Sequence, residues 1–566
     1  MALLCVDAGV AAAQDTASIP CIGQPIHAVI VHASAPTAAA LRRIPVLANI
    51  AAATHVTTHR EIIERFLLLH AGDQCEELRR MESERILRAQ PFLADASVTA
   101  IRSQGGAASG EVDLLVETTD EVAFVFEGTI GGGSPFARFV RFGNANVSGQ
   151  GVYMAGDWRS GGAYRDGYGG RYVDNQLLGR PYTLILDGRR LPLGSEWETQ
   201  ATHPFYTDIQ RIAWQARAGA HDDYVQFGND RNSSHGLRLA RNYFDVGGLV
   251  RLGPPGRLSL FGASFSGDDE RPGTTPVLIT KGGFAPDTGS ALAQQFVDHR
   301  IARVNMLWGV RDIGFRRVRG FDALTATQDL PIGFQFGTLF GRSLSVLGSR
   351  DDDVFMSGDL YIGAATRTTA LRVQLVGEGR RDNSVGRWDG MLAFGRVIEY
   401  LKISPRNTTT GSLEFSGGWR QRVPFRLTLS DPSGGVHGFS GSVTPGGQRI
   451  VGRFEHRTFI ARPHRLGDLG VAGFIESGRL WAGDIPYGSN TSPRTSVGVS
   501  LLAAVPPASP RMWRVDLAFP INPEARGRHV ELRVSNGDRS AFALPEPGDV
   551  RGTREPSVPP SLFRWP

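Results

Sequence analysis

The chain has 566 residues, with 61 Lys or Arg against 56 Asp or Glu, a net charge of +5 and 41% hydrophobic side chains. That apolar share can cover a large folded structure and excludes a disordered chain, while 70 Gly without a Gly-X-Y period exclude collagen and suit many tight turns. Nearly all the positive charge is Arg, since Lys281 and Lys402 are the only lysines, and no basic block interleaved with aromatics marks a nucleic-acid partner.

The first residues carry a small-residue run ending Ala11-Ala12-Ala13 before Gln14, the pattern of a cleavage site. A signal peptide over 1–13 and export are therefore expected, although a basic n-region is missing and Asp7 interrupts the apolar part; a flexible tail is the alternative. Cys5 would leave with the signal, so Cys21 and Cys75 remain, either as one disulfide in an oxidising compartment or as two buried thiols. No stretch reaches the roughly 18 apolar residues of a spanning helix, since 38–53 is broken by Arg42 and Arg43. Strands of about 10 alternating residues give no such plateau, so a membrane barrel is untouched by that test.

Residues 26–32 read as an apolar strand. Thr58-x-x-Glu61 and Asp73-x-x-Glu76 read as capping boxes opening two helices. In the first helix Ile62, Ile63, Phe66 and Leu69 share a face; in the second, Leu78, Met81, Ile86 and Ala89 form a looser stripe that stops before Pro91. Strands over 97–101 and 112–116 follow, separated by a turn around Gly105, Gly106 and Gly110. The order β-α-α-β-β occupies 26–119. Its string Gly72-Asp73, Glu82-Ser83-Glu84-Arg85, Leu87-Arg88, Pro91-Phe92 and Asp95-Ala96 resembles a POTRA domain, the periplasmic polypeptide-transport-associated module of outer-membrane assembly factors. The resemblance implies a three-stranded sheet whose free edge accepts an added client strand through main-chain hydrogen bonds.

From residue 121 the pattern changes to period two. Trp513, Val515, Leu517, Phe519 and Ile521 oppose Arg514, Asp516 and Ala518, and Val304, Met306, Trp308 and Val310 oppose Arg303, Asn305 and Arg311. The same alternation runs through Val497, Val499 and Leu501, through Leu413, Phe415 and Trp419, through Phe425, Leu427 and Leu429, and through Val530, Leu532 and Val534. Periodicity fits a soluble sandwich and a lipid-facing barrel equally; the length of 121–542 favours an antiparallel transmembrane barrel of about sixteen strands. A first strand near 123–130 would meet a last near 529–536, with Phe542 as a closing aromatic. The Pro-rich tail 543–566, with Phe563 and Trp565, is expected to extend along the periplasmic side. Asp351-Asp352-Asp353 reads as an exposed acidic loop tip, a cation site being the alternative.

Further strings resemble the bacterial surface antigen barrel that accompanies POTRA domains: Gly143-Asn144-Ala145-Asn146 with Gly149 and Gly151, Asp174-Asn175 with Leu178-Gly179, Phe321-Asp322 with Gln328-Asp329-Leu330-Pro331 and Gly333, and Gly478, Trp481 and Gly483. The resemblance implies an outer-membrane barrel of the assembly-machinery or translocation-and-assembly type, with its first domain in the periplasm. It implies insertion or translocation of unfolded polypeptides, partners among outer-membrane lipids and accessory periplasmic or lipoprotein subunits, and no cofactor. That superfamily carries Arg-Gly-Phe/Tyr on a loop folded into the lumen. By position the match is Val436-His437-Gly438-Phe439, with Glu455 and Glu476 as strand partners; Arg319-Gly320-Phe321 is the runner-up, with the right letters too early in the chain. Histidine in place of Arg implies a weaker, pH-sensitive lock. The alternative is a loop histidine at 437 and a Glu455 paired with neighbouring arginines. No G-x-S-x-G, H-E-x-x-H, Walker loop or Cys/His metal cluster is present, so no enzyme and no metal are expected. A passive porin and a lipid-acting barrel enzyme are the rival readings.

Overall fold

Alternation of side chains bends most of this chain into a ring of strands, with a small mixed domain at its start. The computed structural model describes residues 18–36, 56–103, 110–131, 137–161, 164–228, 233–280, 283–522, 530–538 and 546–555. The expected signal peptide, Gly105, Gly106, His529, Phe542, Phe563 and Trp565 lie outside the described residues.

The N-terminal domain runs β1 (Ile22–Ser34), α1 (Arg60–Glu64), β2 (Gln74–Glu76), α2 (Glu77–Arg88), β3 (Leu93–Arg102) and β4 (Val112–Asp120). Its sheet has four strands in the order β2-β1-β4-β3, one more than expected, because Gln74 and Glu76 pair with Pro25 and Ile22. Strands β1 and β4 are parallel, β3 and β4 antiparallel, and β3 forms an outer edge. Ile62, Ile63, Phe66, Leu69, Ile86, Leu87, Phe92, Val98 and Val116 fill the core, and Cys21 and Cys75 are joined by a disulfide.

Neither capping box forms. Helix α1 starts at Arg60, so the Thr58 hydroxyl turns to Asp120 Oδ1 at 2.8 Å. Asp73 instead accepts the His70 N–H at 2.8 Å, and the residues after it enter β2. The buried side of α2 is Ser83 to Leu87, which leaves Leu78 and Met81 exposed rather than on a core stripe.

The ring begins with β5 (Phe124–Gly131), β6 (Ala137–Asn144), β7 (Val152–Arg159), β8 (Gly167–Asp174), β9 (Thr183–Arg190) and β10 (Ser195–His203). It continues with β11 (Ile212–Phe227), β12 (Ser233–Leu252), β13 (Leu258–Pro272), a side hairpin β14 (Val277–Thr280) and β15 (Gly283–Pro286), β16 (His299–Arg319), β17 (Thr327–Ser343) and β18 (Asp353–Ala365). It ends with β19 (Thr369–Asp382), β20 (Arg387–Lys402), β21 (Asn407–Trp419), β22 (Gln448–Ala461), β23 (Asp468–Trp481), β24 (Arg494–Ala504), β25 (Arg511–Pro520) and β26 (Glu531–Asp538). Because β13 pairs directly with β16, the hairpin is an extension, and twenty strands close the antiparallel barrel. The expectation of about sixteen falls short because β5 to β10 are only eight or nine residues long and follow one another closely in the sequence.

The two faces decide what periodicity left open. Along β16, Arg303, Asn305 and Arg311 are buried, while Val304, Met306 and Trp308 are exposed; along β25, Arg514 and Asp516 are buried and Val515 and Phe519 exposed. A soluble sandwich buries its apolar face, and this barrel turns its charges inward and its apolar side chains outward, the arrangement a bilayer rewards. The inward charges are paired: Arg396 with Glu414 at 2.5 Å, Arg303 with Asp353 at 3.1 Å, Arg241 with Asp268 at 2.5 Å.

Three other expectations change. Phe425, Leu427 and Leu429 lie in a loop inside the barrel and form no barrel strand. Asp353 is buried against Arg303 and Arg422, and Asp351 faces His299 at 3.2 Å, so this triad is only partly an exposed tip. The described part of the tail is no extended segment outside the barrel: it forms α3 (Gly548–Thr553), with Val550 buried against the interior loop.

Candidate functional site

The loop between β21 and β22, residues 420–447, carries its own apolar residues into the lumen. Phe425, Leu427, Leu429, Val436 and Phe439 pack with Phe394, Val451 and Leu480 of the wall, and a Leu427–Gly446 bridge holds the two arms of the loop together. Asp431 Oδ1 accepts the N–H groups of Ser433 and Gly434 at 2.9 and 2.7 Å, closing a turn that delivers His437 to the tip. Gly438 has a φ of +87°, and a Cβ there would stand 2.6 Å from Pro520 Cγ, so only glycine fits the close approach to β25.

His437 reaches two strands at once. Its Nδ1 lies 2.9 Å from Glu476 Oε2 on β23, its backbone N–H donates to the same oxygen at 2.9 Å, and its Nε2 lies 3.3 Å from Arg533 Nη1 on β26. A guanidinium only donates, so Nε2 must accept and Nδ1 carries the proton that goes to Glu476. The geometry fits a neutral imidazole wedged between an anion and a cation. Ser440 N–H adds a 3.2 Å bond to Glu531 Oε2, so the tip holds β26 at two consecutive inward positions.

Of the two carboxylates expected against the loop, Glu476 meets His437. Glu455 instead pairs with Arg457 at 2.9 Å and Arg514 at 2.5 Å. Arg319 ends β16 with an exposed side chain, and Gly320-Phe321 open a short inward turn before β17 at the face bearing the N-terminal domain. There Gly320 O accepts from Lys402 Nζ at 2.9 Å, and Phe321 is buried against Tyr400. Arg533 and Glu531 carry the tip contact without having been singled out beforehand. Their inward alternation is visible in sequence, but their partner comes from a loop almost a hundred residues earlier.

The first and last strands meet over a short ladder. Glu531, Leu532, Arg533 and Val534 stand opposite Gly131, Ile130, Thr129 and Gly128. These four pairs are the fewest at any junction of the ring among the described residues; β16 and β17 share seventeen. Toward the start of β5, Asn536 Nδ2 donates to Phe124 O at 3.1 Å, and Phe124 stacks on Trp513 of β25 at 6.1 Å.

The N-terminal domain is seated on the barrel turns. Asn144 and Asp174 each accept the N–H two residues on at 2.8 Å, shaping two similar turns. Asn146 Nδ2 donates to Thr58 Oγ1 at 2.8 Å, Gln176 Nε2 to Ile62 O at 2.6 Å, and His59 N–H to Gly149 O at 3.1 Å. At Gly149, with φ of +70°, a Cβ would lie 2.4 Å from Thr57 O. On the other side of the domain Arg88 binds Asp329 at 2.7 Å and also Glu84, which Arg317 contacts in turn. Burial would raise the Glu84 carboxyl, but Arg88 and Arg317 outweigh it and hold it below the ordinary value. Arg85 stacks over Phe315 at 4.3 Å and donates to Tyr206 O.

Solved structures similar to this chain include the crystal structure of BamA from Haemophilus ducreyi lacking POTRA domains 1-3, at 12% identity and a TM-score of 0.38, covering 91% of this chain and 84% of that one. CdiB from Escherichia coli is similar at 10% identity and 0.39, covering 91% and 76%. BauA, the ferric preacinetobactin receptor from Acinetobacter baumannii, is similar at 10% identity and 0.31, covering 79% and 85%. No family model and no curated protein matches the sequence.

Proposed function

We propose that this chain is an outer-membrane barrel that inserts or translocates unfolded polypeptides through its β5–β26 seam, with the N-terminal domain on the periplasmic side. The observation that carries the reading is the seam itself: four paired residues among those described, held from inside by His437 and Ser440, with a side-chain bond from Asn536 to Phe124 O further along. At about 1 kcal/mol net per backbone hydrogen bond, parting this junction costs a small fraction of parting any long one. An opened edge in lipid cannot stay bare, so it recloses or pairs with an incoming strand. The β3 edge of the docked domain is already filled from within the chain: Ile19 N–H, Arg80 and Arg88 donate to the carbonyls of Ala100, Val98 and Ala96, and Glu84 accepts the Val98 N–H. A lumen occupied by residues 420–447 and α3 argues against a passive pore.

The test is a lock. Gly128 and Val534 stand opposite each other, and a Cβ at Gly128 meets nothing nearer than 3.4 Å. Oxidised G128C/V534C in liposomes is expected to stop insertion of an unfolded barrel client, and reduction to restore it. Undiminished insertion by the oxidised form overturns the seam mechanism.

A further inference from the structure

Inside the half of the lumen away from the N-terminal domain, strand side chains grip the described part of the C-terminal tail. Glu555 is almost fully buried; Arg380 of β19 binds its Oε1, and Arg303 of β16 stands 3.6 Å from the same atom. Arg241 of β12 donates to Gly552 O at 3.2 Å. Glu378, also on β19, accepts from Glu555 N–H at 3.0 Å and from Arg554 Nε at 3.0 Å. Further along, Asp549 binds Arg449 at 2.5 Å, and Val550 is buried among the loop's apolar residues. Burial would raise the Glu555 carboxyl, but Arg380, Arg303 and Arg241 outweigh it and hold it ionised below the ordinary carboxylate range.

We propose that Arg241, Arg303, Arg380 and Glu378 form a peptide-binding site in the lumen that reads an Arg-Glu pair and its main chain, occupied in cis by Arg554-Glu555 and exchangeable for an acidic peptide segment of another chain. Two observations support exchange over permanent anchorage. The tail makes its polar contacts through charged ends and main-chain N–H and C=O groups, which any peptide of the same pattern offers. Its departure would also leave Glu378 and Arg380, opposite in sign, two residues apart and both facing the lumen, free to neutralise each other. Arg303 keeps Asp353, and Arg241 keeps Asp268. Arg449, which loses Asp549, keeps Glu414 at 3.9 Å, so the site can stand empty with each of these charges still facing an opposite one.

The experiment uses the full chain in detergent and a fluorescein-labelled peptide of residues 546–555. Wild type, its site filled, is expected to bind the peptide weakly; Glu555→Arg, which expels its own tail from the arginines, is expected to bind it at least tenfold tighter by anisotropy. The exchange E555R/R380E, which lets the altered tail seat again, should return binding to the wild-type level. If Glu555→Arg does not assemble as a heat-resistant barrel, Glu555→Gln is compared in the same way. Equal binding by wild type and an assembled Glu555 variant, or no binding by either, overturns the proposal. Client insertion is not read out, so a barrel that exchanges this peptide yet inserts nothing defeats the proposed function and leaves the site standing.

Discussion

Arg533 on the last strand stands with its guanidinium 3.3 Å from His437 Nε2, while its own backbone position is registered against Thr129 of the first strand. One residue thus belongs both to the seam and to the contact that the interior loop makes with it. Movement of the loop tip must change how β26 is held, and opening of the junction must change the partner of His437.

Replacing His437 therefore tests the coupling. His437→Ala removes the Glu476 and Arg533 side-chain bonds together, and at about 1 to 3 kcal/mol for bonds to charged partners the amides of Glu531 to Val534 should exchange roughly ten times faster or more. His437→Arg, which restores the resembling family's letter, is expected to do no better, because a guanidinium cannot accept from Arg533 and sets two cations side by side. Hydrogen exchange resolved on β26 checks both variants. An Arg variant as protected as wild type would refute the neutral-imidazole wedge.

Docking of the N-terminal domain should be pH-dependent through Glu84. Its folded carboxyl lies below the ordinary value, so its contribution is fully present above the unfolded pKa of about 4.3 and is lost as pH falls through the lower folded value. Limited proteolysis at the domain boundary, run from pH 7 downward, is expected to accelerate only in that acidic window. At neutral pH, Arg88→Ala should mimic the acid effect, since it strands the largely buried Asp329 at a cost of about 3 to 5 kcal/mol and leaves Glu84 with Arg317 and Arg80 alone.

Period-two alternation made the strands legible, because Val304, Met306 and Trp308 oppose Arg303, Asn305 and Arg311 whatever the loops do; the choice of a barrel over a sandwich rested on the length of 121–542. Strand number was not legible, because the short strands from 124 to 203 differ from turns by only a few residues each. Phe425, Leu427 and Leu429 show why local pattern misleads: alternation also suits a loop that packs one side on a wall. The His437 tip was found by resemblance and position. Its contact with Arg533, and the seat of Glu555 among three arginines, depend on closure of the ring, which no local spacing encodes.

The outward face offers a direct measure of whether lipid surrounds the ring. Met306 is exposed near the middle of β16, between buried Asn305 and Leu307. Met306→Arg should cost about 2 to 4 kcal/mol of folding free energy in a bilayer, as a cation at the midplane of a barrel wall does. Denaturant titration in liposomes checks the figure. A change under about 0.5 kcal/mol would place that face in water.

The Cys21–Cys75 bridge closes a segment with a sequence separation of 54, which takes in α1 and the strand pairing of β1 with β2. Loop-closure entropy for such a segment amounts to about 4 kcal/mol, a large share of what a small domain has in hand. Reduction should therefore loosen the N-terminal domain selectively: amides of Ile62, Ile63 and Phe66 lose protection while those of β16 and β17 do not. Cys21→Ser/Cys75→Ser should behave like the reduced protein, which separates loss of the link from chemical damage by the reductant. Equal protection in the oxidised and reduced forms would mean that seating on the barrel turns, through Asn146, Gln176 and Asp329, alone keeps this domain folded.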